Sequence, residues 1–291
     1  MSTSPASSAD ARAPSDTTAR RPAGGLPDRR PFASREASEA PLPRRSDGSS
    51  SWMPESASAH SLPDGSSEVR PPRTARTLDL VAIETSLRAL QGALPAVNRS
   101  LLNDHPPLLD SSIGAMLAGY AELDRLALRG IDLFARGQAR RLLDLNRIVL
   151  YGERSPRVRA HARALDTAER HFYESRAGGV GDLVEWYERH RTLSPSRLAA
   201  GLYLRLQCSP QLYIEGNHRT GALILSHVLM RRGRPPFVLT PALAGEWFAL
   251  TPELQRLNRH GAAAILQGRR LQRCLADLIR RLADPRHLTS S

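Results

Sequence analysis

Gln211-Leu212-Tyr213-Ile214-Glu215-Gly216-Asn217-His218-Arg219-Thr220-Gly221 is the stretch on which the reading of this chain turns. It lies between two apolar segments of helical period. Upstream, Ser194-Pro195 puts serine at an N-cap and proline at N1, and Ser196 to Gln207 then carries Leu198, Ala199, Leu202, Leu204 and Leu206. Downstream, a helix is expected from about His218 to Arg232, ended by Gly233 and Pro235-Pro236. A Gly-Asn pair entering a helix leaves backbone N–H groups without intrahelical partners. Together with the positive end of the helix dipole, those groups make an anion site. Gly216 lets the backbone approach closely. Asn217 is placed to act as N-cap, and Arg219 adds a donor fork that suits phosphate oxygens. Glu215 can hold a Mg2+ that bridges phosphates. The same residues also describe an ordinary capped helix start with a surface Arg and a surface Glu, and local physics alone leaves both readings open.

The rest of the folded region reads as helix. Leu78, Leu80, Val81, Ile83, Leu87, Leu90 and Leu94 follow an i, i+3, i+4 stripe that Pro106-Pro107 stops. Ser111-Ser112 can cap a second helix, and Ala139 to Leu150 forms a third. Residues 151–181 are read either as a helix from His161 to Glu174 or as including a short hairpin. Asp182 is expected to cap the helix of Leu183 to Tyr187. Thr240-Pro241 and Thr251-Pro252 are further N-cap/N1 pairs, and a last helix covers about Ala262 to Leu282. No strand alternation exceeds about four residues, so the expected fold is mostly α, a single helical domain over residues 76–285 with a short tail at 286–291.

Composition divides the chain. Residues 1–75 hold 11 of the 22 prolines and 16 serines, and their low hydrophobicity cannot offset the entropy of ordering. They are expected to be a disordered tail, either a simple flexible one or a secretion leader. Residues 76–291 carry 31 Arg against 20 acids, a net +11. Since these 31 and the 10 Arg of the tail make up all 41 Lys+Arg, the chain has no lysine, which excludes Schiff-base chemistry and a P-loop lysine. Codon bias in a GC-rich genome and selection against ubiquitination in a eukaryotic host both account for that absence. Two cysteines, Cys208 and Cys274, cannot build a disulfide framework or a four-Cys zinc site. No apolar run approaches a membrane span, and no apolar core of a secretory signal peptide is present. The histidines lack metal-ligand spacing; His227 is expected to be buried and hydrogen-bonded, and Cys208 to be a small core residue. The Arg clusters lack interleaved aromatics. They read as a solvated face or a surface for an acidic protein partner rather than a specific nucleic-acid platform.

The 211–221 stretch resembles the signature loop of Fic (Fido-fold) proteins, His-Pro-Phe-x-Asp/Glu-Gly-Asn-Gly-Arg. The order of its surroundings is similar too: the turn Gly152-Glu153-Arg154 falls where the family begins a hairpin flap that positions the target segment, followed by a helix containing Leu183-Val184-Glu185-Trp186. The resemblance covers about residues 76–285. It implies that Glu215 coordinates Mg2+, that Gly216 and Asn217 form the anion hole, and that Arg219 contacts the phosphates of ATP or another nucleotide donor. It also implies transfer of AMP, or a related phosphoryl group, to a protein hydroxyl.

The departures weigh as much. The family's histidine, the general base, falls on Gln211, its proline on Leu212, its phenylalanine on the similar Tyr213, its second glycine on His218 and its second arginine on Ala222. Glutamine takes no proton near neutral pH, and loss of a general base costs about 10²–10⁴-fold in rate. Either His218 substitutes as base, or the chain is a pseudo-enzyme acting as a nucleotide- or partner-binding regulatory module. The family's inhibitory helix has no clean copy; in Ser86 to Gly92 the acid position holds Gln91. The expected location is the bacterial cytoplasm, or, on the unfolded Ser/Pro leader and the lack of lysine, export through a specialised secretion system into a host.

Overall fold

The computed structural model describes residues 77–101, 105–152, 162–174, 178–261 and 263–289, all within a compact unit spanning Gly65–Ser291. The expected tail at 1–75 therefore lies outside the described residues. The elements are α1 (Leu80–Asn98), α2 (Asp110–Leu128), α3 (Ala139–Tyr151), α4 (Ala162–Glu174), α5 (Val180–His190), α6 (Pro195–Gln207), α7 (Asn217–Arg231), α8 (Pro241–Ala249), α9 (Thr251–Arg256), α10 (Ala263–Arg281) and a 3-10 turn at Pro285–His287. Among the described residues the β-contacts are two isolated bridges, Leu78 with Leu288 and Ser209 with Asn258.

The mostly α expectation is borne out, and the sequence explains why α6 and α7 lie at the centre. A helix that is apolar all round must be covered all round. On α6, Leu198, Leu202 and Leu206 enter one hydrophobic cluster, while Ala199, Ala200 and Tyr203 enter another. On α7, Leu223, Ile224 and Val228 face the first cluster, and Leu225 and Leu229 the second. The first cluster is closed by α1, α2, α3 and α5, the second by α8, α9 and α10. Burying each such side chain contributes about 1.5–3 kcal/mol. The 211–221 loop joins these two central helices, so both its ends are fixed by the core.

Several expectations shift. α2 begins at Asp110, ahead of Ser111-Ser112, with no side-chain cap. α5 begins at Val180, so Asp182 sits in its first turn, where its charge favours the helix dipole, instead of capping it. Asp182 is taken by ion pairs to Arg205 and Arg259. Thr251 is the first residue of α9, with Leu250 in the cap position. Residues 286–289 are no free tail: Asp79 N–H donates to the His287 carbonyl at 3.0 Å, Thr289 N–H donates to the Thr77 carbonyl at 2.9 Å, and His287 is buried. These bonds join the chain's end to the start of α1. His227 is buried as expected, its Nε2 accepting from Leu133 N–H at 3.1 Å, and Cys208 lies in the core with its thiol pushed up to about 11 by burial.

Candidate anion site at the start of α7

The loop is held down by its apolar pair. Leu212 and Tyr213 are buried, the Tyr213 hydroxyl donates to the Leu142 carbonyl of α3 at 2.9 Å, and its ring stacks on Phe172 of α4 at 5.6 Å. Between this anchor and α7 the chain swings out, leaving Ile214 and Glu215 exposed. It returns through Gly216 at φ 75°, ψ 10°, the left-handed region. A Cβ there would also lie 3.0 Å from Asn146 Nδ2 and 3.2 Å from Leu150 Cδ2, so conformation and space both call for glycine.

Asn217 does not cap α7; Gly216 occupies that position and Asn217 opens the helix. Its side chain works inside the loop instead. Oδ1 accepts from Tyr213 N–H at 3.0 Å, while Nδ2 donates to the Tyr213 carbonyl at 2.7 Å and to Gln211 Oε1 at 3.2 Å. Asn146 of α3 clamps the same turn, with Nδ2 donating to the Glu215 carbonyl and to Thr220 Oγ1, both at 2.9 Å. Thr220 N–H is satisfied by the Gly216 carbonyl at 2.9 Å. No side chain caps the helix, so the N–H groups of Asn217, His218 and Arg219 have no cap partner. A rigid turn thus presents uncapped donors at the positive end of α7.

That end faces a cleft of about 880 Å³, lined by Gly216, Asn217, His218 and Arg219 and, among others, by His105, Phe248 and Thr251. Arg219 Nη1 donates to the Val149 carbonyl at 3.0 Å, which fixes the guanidinium at the cleft's edge. Burial lowers its pKa, and the nearby Glu215 carboxylate counters that. The arginine stays cationic at any physiological pH.

His218 is set up as a donor. The Trp247 indole N–H donates to the Tyr203 hydroxyl at 3.2 Å, and that hydroxyl lies 2.7 Å from His218 Nδ1. Tyr203 is buried, and with its oxygen accepting from the indole its own proton goes to Nδ1. The imidazole proton is then on Nε2. Burial and the neighbouring His105 push the His218 pKa down to about 4, so the ring is neutral at pH 7. Nε2–H is a hydrogen-bond donor, not the free lone pair a base requires.

Gln211 sits beside Asn217 as described, and no titrating group of its own replaces the base. A residue that local sequence did not point to does lie there: His171 of α4, whose Nε2 is 3.0 Å from the Gln211 carbonyl oxygen. Asn146, Tyr203 and Trp247 were equally invisible, because their partners are 15 to 74 positions away in the chain. Gly152 ends α3 at φ 75°. Arg154 and any flap hairpin lie outside the described residues.

Glu215 is a lone carboxylate; among the described residues no group of three His, Cys, Asp or Glu side chains gathers to hold a metal ion. That donor set fits Mg2+ in one way, since this ion commonly uses one or two carboxylates together with substrate phosphates and waters. Gln91, at the position of an inhibitory acid, is turned elsewhere: its Nε2 donates to the Leu108 carbonyl at 2.8 Å and to Asp110 Oδ1 at 3.0 Å.

No protein-family model matches this chain, and no curated protein matches it in sequence. Solved structures do. It is similar to a Fic domain containing signaling protein from Bacteroides thetaiotaomicron VPI-5482, at 16% identity and a TM-score of 0.38, over 69% of this chain and 85% of that one. It is also similar to a fragment of Fic-1 from C. elegans, at 19% identity and a TM-score of 0.34, over 70% of this chain and 60% of that one.

Proposed function

We propose that this chain is a divergent Fic-like protein that grips a phosphate-containing donor, ATP or another nucleotide, and acts as a nucleotide- or partner-binding regulatory module. One observation carries the reading: α7 begins uncapped at a left-handed Gly216, with Arg219 beside it, on the edge of an 880 Å³ cleft. Backbone donors, the helix dipole and a guanidinium converge on a place where negative charge is favoured. Mg2+ would be held by Glu215 together with the donor's own phosphate oxygens, and would supply charge neutralisation there. The net +11 of residues 76–291 suits a protein partner with an acidic surface. Among the described residues no helix is long and apolar enough to cross a membrane. Titration calorimetry with ATP and Mg2+ tests the binding.

A second reading, transfer of AMP or a related group to a protein hydroxyl, is favoured by His171. Its Nε2–H donates to the Gln211 carbonyl at 3.0 Å, which brings an imidazole to the start of the loop. In that transfer the target oxygen attacks the α-phosphorus, the bond to the leaving pyrophosphate breaks, and the hydroxyl proton passes to a base, for which His171 is the candidate. Incubation with labelled ATP, CTP, UTP, GTP or nucleotide sugars and a cell lysate separates the readings: binding without transfer from any donor leaves the regulatory module, while transfer that His171→Ala abolishes establishes the enzyme. Export into a host through a leader at residues 1–75 is tested by deleting them, and unchanged export would overturn the leader.

A further inference from the structure

A second recess, of about 490 Å³, lies among α5, α6, the turn after α9 and α10, and shares no lining residue with the cleft at α7. Trp186, Arg205, Arg259, His260 and Arg269 line it. Its charge is unbalanced. Asp182 Oδ2 accepts from Arg205 Nη1 and from Arg259 Nη1, both at 2.8 Å, whereas Arg269 has no carboxylate partner among the described residues. Three guanidinium groups against one carboxylate leave two positive charges.

Arg259 is the unusual member. Its side chain is only 4% exposed, and the one carboxylate it meets, Asp182, is shared with Arg205. Nη2 donates to the Pro210 carbonyl at 2.7 Å and also to the Arg205 carbonyl. Its Nε is buried with no acceptor at all. A buried N–H left unpaired is costly and calls for an acceptor. The Trp186 ring, stacked on His190 at 4.3 Å and approached by Arg205 at 5.7 Å, supplies a flat apolar wall beside these donors.

We propose that this recess binds a phosphate group, free or as a small monoester, between Arg205, Arg259 and Arg269. A phosphate monoester carries about −1.5 to −2 at pH 7, which matches the surplus, and its oxygens suit guanidinium forks. The site is independent of the reading of the α7 cleft. Arg259 also clamps Pro210, the residue before Gln211, so the occupied recess adjoins the root of the 211–221 loop.

Calorimetric titration at constant ionic strength tests it, using the full chain carrying Arg219→Ala so that the cleft at α7 contributes little. Inorganic phosphate and phenyl phosphate are titrated in separate arms, with Trp186 emission followed in parallel. Binding that persists in Arg219→Ala and weakens about tenfold or more on adding Arg269→Ala is expected. Arg269 is exposed and holds no fold contact through its charge, so that variant tests binding without unfolding the protein. Similar affinities in the two arms identify free phosphate as sufficient; tighter phenyl phosphate identifies a monoester lying against Trp186. Affinity weaker than about 10 mM for both, or affinity that Arg269→Ala leaves unchanged, overturns the proposal. Binding present in the native chain but lost entirely with Arg219→Ala overturns it too, assigning the ion to α7.

Discussion

Asn217 Nδ2 donates to Gln211 Oε1 across 3.2 Å, so the Gln211 side chain is tied to the loop's internal scaffold. The same asparagine holds Tyr213 through both its N–H and its carbonyl. Position 211 is therefore built as part of the loop.

Gln211→His reinstates an ionisable group at that position. On the reading of a donor-gripping loop, transfer of label from ATP to protein should rise by about 10²–10⁴-fold over the native chain. Autoradiography of the full chain incubated with labelled ATP and lysate measures this. No gain in a variant that still binds ATP would show that the loop does not present its donor for in-line attack.

Asn217→Ala removes three hydrogen bonds from a buried turn and strands the Tyr213 N–H and carbonyl. At about 1–3 kcal/mol per buried group left unpaired, a loss of roughly 2–6 kcal/mol is expected. Urea denaturation should show a lower midpoint with an unchanged slope.

Gly216→Ala acts on the backbone. The φ of 75° costs an L-residue about 1–2 kcal/mol, and its methyl would press on Asn146 and Leu150. A lower melting temperature and weaker ATP binding are expected together, since the turn that orders the uncapped N–H groups is the one distorted. A variant with native stability and native affinity would mean the turn is more adaptable than its geometry implies.

Acid stability reports on His218. Burial, then the neighbouring His105, bring its pKa from the ordinary 6.5 down to about 4, and burial also lowers His227. Between those values the unfolded chain binds more protons than the native one. Stability is thus fully present above about pH 6.5 and declines as pH falls toward 4. His218→Asn should flatten that decline relative to the native chain in denaturation series taken from pH 7 to pH 4.

What the sequence made legible was mostly local. The stripe of Ile83, Leu87, Leu90 and Leu94 is the buried face of α1, and Pro195 starts α6 as its N1 position implies. For Gly216 the expected reason is close backbone approach to an anion, whereas the structure supplies another: a left-handed φ and a missing Cβ that would meet Asn146 and Leu150. Asn217 stands at the helix start as its position implies, but its side chain turns back to Tyr213 and Gln211, which precede the helix, whereas a cap faces into it. Asp182 was misjudged similarly, its carboxylate being claimed by Arg205 and by Arg259, 77 residues away. The supports of the site, Asn146 and His171, come from helices whose approach to the loop is set by tertiary packing, and no local pattern encodes such a meeting.

Arg219 carries the central claim, and calorimetric titration of ATP with Mg2+ into the native chain and into Arg219→Ala examines it most directly. The account predicts saturable binding that weakens about tenfold or more when the guanidinium is removed. No measurable heat at millimolar nucleotide, or equal affinities for the two proteins, would contradict it.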